Sequence, residues 1–353
     1  MSPTSDKTTV LVVTSGDGTG LNFVRSLRRA GGYRIVGLDT SVDDYVSSEA
    51  DERFLVDAEP ADRFLDVVNT ISARCGADLV YAADTNELLD LLSRRRESVD
   101  TPIFLPDHDD HARAEDKWRT YECLSAAGLP VPDSVLVRDG ADLDQALGRH
   151  GAIWLRRTRG SGGAGSLATD APALAHAWVE SAGGWGEFMA AERLSARTAT
   201  FSGVWFDGEL VASQLRERTA WKYAHLAVSG VTGITSGQRT LWDEELHDLA
   251  VRSVRRIMSR PHGAVGVDFT YGHDAAPYVT EIQPARFYSS MEFLAAVGIN
   301  LPDLYCRLAV GAELPAGQPF INPIRSSFYW FKAVDKLPVL MTQQELEVID
   351  RLV

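Results

Sequence analysis

Positive charge is scarce in this sequence: 35 lysines and arginines face 49 aspartates and glutamates, a formal net charge of −14. A chain this acidic repels nucleic acid and anionic membrane surfaces, so neither is expected as a partner. No apolar run approaches the ~20 residues of a membrane-spanning helix. The three cysteines, Cys75, Cys123 and Cys306, are scattered and lack metal-ligand spacing. Such usage suits a reducing compartment, and a cytoplasmic protein is expected. The polar start MSPTSDKTTV has no apolar h-region and reads as a tail before the first strand, not a secretory signal. Any anionic ligand must therefore be held by a focused cluster of cations.

What is present is ordinary globular composition, 45% hydrophobic over 353 residues, enough for two or three cores. VLVVT at 10–14 reads as a buried parallel strand. SGDGTG follows, then a helix whose apolar spacing runs to Gly31-Gly32, then a strand ending at Asp39. The alternation continues with FLV at 54–56, a helix over 61–75, DLVYAA at 78–83, a helix over 85–95 and a strand IFLP at 103–106. Residues 8–108 thus predict a doubly wound α/β domain with a parallel sheet. The charged stretch 108–116 reads as a boundary, and a helix over 117–127 ends at GLPVP. Hairpins are predicted over 201–218, turning at Asp207-Gly208, and over 264–287, with a loop at 272–277. An amphipathic helix lies between them, over 243–260. The tail 321–353 reads as packing or oligomerisation.

Three stretches carry chemistry. SGDGTG has the spacing G-x-G-x-G, not G-x-G-x-x-G, although Asp39 falls where a ribose-binding acid would sit. That is the case for a nicotinamide enzyme; the plainer reading is a tight turn packing helix on sheet. RRTRGSGGAGS at 156–166 sets arginine forks beside bare backbone N–H groups, a combination suited to phosphate. It lacks the Gly-Lys-Ser/Thr of a Walker loop, and a solvated hinge is its plain alternative. In the second hairpin Glu281 and Gln283 are two apart on one strand and share a face. The turn brings Asp268 opposite them. Two carboxylates and an amide oxygen form a hard-oxygen set that suits magnesium on nucleotide phosphates.

These parts occur in an order that resembles the ATP-grasp ligases, in the branch similar to carbamoyl phosphate synthetase large-subunit domains, over about residues 8 to 320. EDKWRTYECLSAAGLPVP (115–132), AIWLRRTRGSGGAGS (152–166), MAAERLSART (189–198), VGVDF and VTEIQPARF carry the resemblance. It implies a pre-ATP-grasp parallel-sheet domain over 1–108, followed by a two-lobed α+β ATP-grasp domain. That domain's small lobe would span 109–190 and its large lobe 191–320, with a C-terminal extension over 321–353. Position by position, it implies Lys117 and Arg156 on ATP phosphates, with Ser161, Gly162 and Gly163 covering them. Glu192 and Leu194 would lie at the adenine. Asp268, Glu281 and Gln283 would bind Mg²⁺, which Mn²⁺ could replace, and Arg286 would steady an acyl phosphate. The chain departs from the family at three points: Gln283 stands for the usual Asn, Arg286 comes one residue late, and Arg197-Thr198 occupies the place of a common ribose-binding acid.

The implied activity joins a small-molecule carboxylate to an amine, with ATP and Mg²⁺, through an acyl phosphate, on an amino-acid-like substrate of specialised metabolism. Arg216, Arg218 and Lys222 are candidates to hold a substrate carboxylate, with a solvated face as the alternative. A homodimer is the default expectation. The competing functions are a carbamoyl-phosphate-synthetase-like carboxy or carbamate kinase, a nicotinamide oxidoreductase, and an ATP-binding regulator without turnover.

Overall fold

The computed structural model describes residues 7–83, 86–160, 163, 165–222, 235–317, 319–333 and 336–348. The N-terminal part alternates β1 (Thr8–Val13), α1 (Gly18–Ala30), β2 (Tyr33–Asp39), α2 (Val42–Ser47), β3 (Glu52–Leu55), α3 (Ala61–Cys75), β4 (Leu79–Ala82) and α4 (Asn86–Arg94). Its four strands are parallel, in the order β3-β2-β1-β4. Apolar side chains of β1 point alternately into two cores, Val10 and Val12 toward α1, and Leu11 and Val13 toward α3 and α4. That two-sided burial is why the strand reads as an unbroken apolar run.

The glycine loop between β1 and α1 is a packing device. Ser15 Oγ donates to the Asp39 carboxylate at 2.6 Å, and the Gly16 amide donates to it at 3.1 Å. Asp17 caps α1 by accepting from the amides of Thr19 and Gly20. A Cβ at Gly16 would fall 1.7 Å from the Asp44 carbonyl oxygen, so only glycine fits against α2. Asp39 is 1% exposed and committed inside the loop, not offered to a ribose.

One sequence expectation is corrected here. IFLP at 103–106 is not a full strand: one parallel bridge joins Ile103 to Val80. Pro102 and Pro106 bracket it and have no N–H to extend a ladder. The charged stretch 108–116 forms a helix, α5 (His108–Glu115). Its polar residues are buried because they bond inward: Asp110 accepts from the amides of Ser259 and Arg260, both at 2.9 Å.

After α6 (Lys117–Ala126) comes a lobe of β5 (Ser134–Val137), α7 (Gly140–His150), β6 (Ile153–Arg157), β7 (Leu167–Thr169), α8 (Pro172–Ser181) and β8 (Phe188–Glu192). Its sheet is antiparallel, in the order β5-β8-β6-β7, with α7 and α8 on its apolar core. The remainder forms a seven-stranded antiparallel sheet in the order β13-β12-β9-β10-β11-β14-β15. These strands are β9 (Thr198–Phe206), β10 (Glu209–Trp221), β11 (Thr235–Leu241), β12 (Gly263–Tyr271), β13 (Pro277–Pro284), β14 (Phe328–Ala333) and β15 (Lys336–Thr342). Asp207 and Gly208, at φ 52° and 90°, make the tight β9–β10 turn. Helix α9 (Glu244–Ile257) covers one face of this sheet. Helices α10 (Met291–Ala296) and α11 (Leu301–Ala309) join the other face to α1. The tail adds β14, β15 and the short α12 (Gln343–Glu347) to the large sheet. No described helix is long and apolar enough to cross a membrane.

Two outcomes follow from these packings. Asp39→Ala should lower the free energy of unfolding in urea by about 1–3 kcal/mol, the cost of buried donors left unpaired. The second concerns His111, which is 1% exposed and whose imidazole burial pushes down to about 4. Its folded pKa lies below the unfolded value of 6.5, so the unfolded chain takes the proton first as pH falls. Stability present at neutral pH is therefore lost between pH 6.5 and about 4, by about 3 kcal/mol from this group. Glu115, raised by burial, works in the opposite sense. The measurement is thus the difference between wild type and His111→Gln in urea titrations at pH 7 and 4.5, and the variant should show the shallower loss.

Candidate active site

One face of the large sheet changes character along its strands. Val204 on β9 sits beside Ala212 on β10 and Ala264 on β12, and all three are buried against the N-terminal domain. Two residues along, the same face presents Ser202, Gln214 and Gly266, and the next row presents Thr200, Arg216 and Asp268. Strand alternation keeps these rows on one side. Asp268 pairs directly with Glu281, and Gly266 with Gln283. The hairpin thus places Asp268, Glu281 and Gln283 on a common face, in the register the sequence implies.

The Asp268 carboxylate accepts from Thr200 Oγ1 at 2.7 Å. Burial raises its pKa, the Glu281 charge adds to the rise, and Arg218 and Arg216 pull the other way. Two carboxylates so placed are a hard-oxygen pair that a divalent cation would neutralise. Gln283 extends the set, and its Oε1 lies 3.5 Å from an Arg286 guanidinium nitrogen. Its Nε2 donates to Asn86 Oδ1 at 3.4 Å. Asn86 also bonds the Glu115 carboxylate, whose polar atoms lie within 4.8 Å of those of Asp90 and His111. A polar network from α4 and α5 thereby holds the amide from behind.

Cations flank this pair on the β13 side. Lys117, 7% exposed at the start of α6, donates to the Gly160 carbonyl at 2.6 Å and lies 3.5 Å from Glu281. Arg156 on β6 donates to the Thr280 carbonyl at 2.7 Å, while its buried Nε has no partner in the protein. Burial lowers its pKa. Both therefore bridge the basic loop to the acidic hairpin. In the loop, Gly163 is exposed at φ 74°; Ser161 and Gly162 lie outside the described residues.

Glu192 ends β8, and Leu194 lies in the connector to β9. One Glu192 oxygen accepts from the Asp133 amide at 2.9 Å, and Leu194 is half-buried. The carboxylate near Arg197 is Glu217, and it faces away from Arg216 across the sheet. Arg197 and Arg239 hold it at 2.7 and 2.6 Å. It is therefore committed to structure. Arg286 follows a turn in which its amide donates to the Pro284 carbonyl at 3.0 Å around Ala285, at φ 73°. This positive-φ γ-turn takes up the extra residue and returns the guanidinium toward Gln283.

Other groups on this face were not singled out in the sequence. Tyr288 lies over Gly266, where a Cβ would come within 2.3 Å of its ring. Its buried hydroxyl has no partner in the protein, and burial with Asp268 and Glu281 holds its pKa well above the usual range. Gln238 accepts from Arg216 at 3.1 Å. Lys332, from the tail, donates to the Ser289 carbonyl at 2.7 Å. Of the sequence candidates Arg216, Arg218 and Lys222, the first two face this site. Gly266 was a usable signal, since a strand glycine marks a close approach; the tail lysine carried none.

No protein-family model matches the sequence, and a search of curated proteins finds no match. Solved structures do match. A biotin carboxylase from Campylobacter jejuni, in a complex with a β,γ-ATP ligand, superposes with a TM-score of 0.71 at 15% identity, covering 94% of this chain and 76% of that one. The biotin carboxylase domain of Hydrogenobacter thermophilus 2-oxoglutarate carboxylase, a dimer with MgADP and bicarbonate, gives 0.68 at 15%, covering 91% and 74%. An N5-carboxyaminoimidazole synthetase from Staphylococcus aureus with ADP gives 0.67 at 16%, covering 92% and 82%. At such identities the likeness is one of fold. A parallel-sheet N-terminal domain followed by antiparallel lobes, with these neighbours, means that the chain has the ATP-grasp fold.

Proposed function

We propose that the protein is an ATP-dependent carboxylate–amine ligase that forms an amide or peptide bond through an acyl phosphate, on a small amino-acid-like substrate. The observation that carries this reading is the Asp268–Glu281 cross-strand pair, flanked within hydrogen-bonding reach by Lys117 and the strand that leads into the basic loop. The neighbours named above are enzymes solved with adenine nucleotides, and the placement here fits the same ligand. Asp268, Glu281 and Gln283 would hold Mg²⁺, or Mn²⁺ in its stead; their oxygens match a hard cation, and the Asp268 carboxylate, raised in pKa by burial and by Glu281, would be relieved by it. That ion would supply neutralisation of phosphate charge.

The chain's own residues do the rest. Lys117 and Arg156 orient the phosphates; an acyl phosphate hydrolyses readily, and Ser161, Gly162 and Gly163 are the residues assigned to covering it from water. Glu192 and the backbone of Leu194 position adenine. Arg286 binds the acyl phosphate oxygens. No covalent protein nucleophile is needed, since phosphoryl transfer rests on positioning and charge neutralisation. A carbamate-kinase-like activity and a nicotinamide oxidoreductase gain no support from the site, and Asp39 is already committed within its own loop.

A screen for ADP release with amino acids singly and in pairs tests the reading: release should require one acid and one amine together and disappear when EDTA removes the divalent ion. NADH fluorescence should stay unchanged on titration with the protein. Glu281→Gln should lower kcat by about 10²–10³-fold, the usual scale for losing one charge-stabilising group, with folding intact by circular dichroism. Turnover at near wild-type rate in that variant would refute the metal assignment. Gln283→Asn should lower kcat by about tenfold, because the shorter amide no longer reaches both Asn86 and the cation position.

A further inference from the structure

Beyond Asp268, on the side away from the nucleotide loop, the sheet carries cations that form no direct ion pair among the described residues; Asp268 and Glu292 act on them only at longer range. Arg216 is 1% exposed. It donates to Gln238 at 3.1 Å and lies 5.5 Å from the Tyr288 ring centre, and its buried Nε has no partner in the protein. Arg218 donates to the hydroxyls of Thr235 and Thr198 at 2.9 and 3.0 Å and stacks 3.7 Å from the Trp221 ring centre. Lys332 reaches in from β14 and donates to the Ser289 carbonyl at 2.7 Å. Every one of these partners is neutral.

Burying unpaired cations costs several kcal/mol each, so such a group persists where a ligand supplies the counter-charge. These cations lie apart from those on the nucleotide-loop side: Arg216 is on β10, three strands from β13 in the sheet order, about 14 Å from the Lys117–Glu281 contact at about 4.8 Å per strand. The reacting carboxylate is not sufficient, because Arg286 beside Gln283 already serves it. Burial and the nearby Arg216 charge push the Lys332 amine down to about 8, against a pull from Glu292, which agrees with a crowd of cations lacking an anion.

We infer that the substrate is a carboxylic acid carrying a second anionic group, carboxylate or phosphate, several bonds from the reacting carboxylate, and that Arg216 and Lys332 hold that second group. This rests on the ligase reading, and it assigns a role to the C-terminal strand that delivers Lys332.

The test is calorimetric binding of glutarate, butyrate and 3-phosphoglycerate to the full chain with Mg²⁺ and a non-hydrolysable ATP analogue, alongside ADP release. Glutarate, a dianion, and 3-phosphoglycerate, whose phosphate brings a further charge near neutral pH, should each bind about 100-fold more tightly than butyrate, as expected for charge-assisted hydrogen bonds to two cations. Glutarate against 3-phosphoglycerate distinguishes a carboxylate from a phosphate as the second group. Lys332→Met should remove about tenfold of the dianion's affinity and leave that of butyrate unchanged; Arg216→Gln should remove more. Because Arg216 is deeply buried and its variant can fail to fold, the half-buried Lys332 carries the decision. Equal binding of butyrate and both dianions, or a dianion advantage that survives Lys332→Met, would overturn the inference. Dianion binding without ADP release for any amine would instead count against the ligase reading and leave the anion site standing.

Discussion

Two carboxylates on adjacent strands, pointing the same way inside a protein, repel each other, and this chain keeps such a pair where Asp268 meets Glu281. Burial raises the pKa of Asp268, and the Glu281 charge adds to the rise. The arrangement is tolerable because cations and hydroxyls ring it: Lys117 beyond Glu281, Thr200 on the neighbouring strand, Arg216 and Arg218 further across. Lys117 comes from α6, Thr200 from β9 and both arginines from β10, so these segments converge on one hairpin. The acid pair is thus the electrostatic reason for much of the tertiary arrangement around it.

The same sheet face shows how one surface serves both stability and a site. Its Val204–Ala212–Ala264 row closes the core shared with α1 and α11, where Phe23 and Tyr81 stack at 3.7 Å. Four residues along, the face is polar and partly unsatisfied. The core around α1 covers the apolar half, and α4, α5 and the Arg286–Ser290 segment bound the polar half. The proposed site therefore has an apolar row beneath it.

Most of the fold was legible because period and punctuation agree. The β1–α1–β2 unit announces itself through apolar runs and Gly31, and the Asp207-Gly208 turn follows from its chemistry. Helix α5 was not legible as a helix because its buried face is polar, with Asp110 and His111 in places that leucines fill elsewhere. The acid pair was legible because strand alternation and one turn suffice to place it. Lys332 and Tyr288 were not: each approaches the site through long-range packing, and no spacing in the chain encodes the contact of β14 with the Ser289 carbonyl.

The departures near residue 283 make physical sense as one change. A glutamine reaches one carbon further than an asparagine, and an extra Ala285 would carry the following arginine away from it. Instead Ala285 adopts φ 73°, a left-handed conformation that costs a residue with a Cβ about 1–3 kcal/mol. That strain is held in place by full burial of Ala285 and by the Phe287 amide, which donates to the Tyr81 hydroxyl at 3.0 Å. The result sets the Arg286 guanidinium 3.5 Å from the Gln283 amide oxygen. A longer amide and a later arginine each misplace a group alone, whereas together, through one strained turn, they bring both to the edge of the acid pair. Strain of this kind persists only where the surrounding structure enforces it, and here burial and the Tyr81 contact do so.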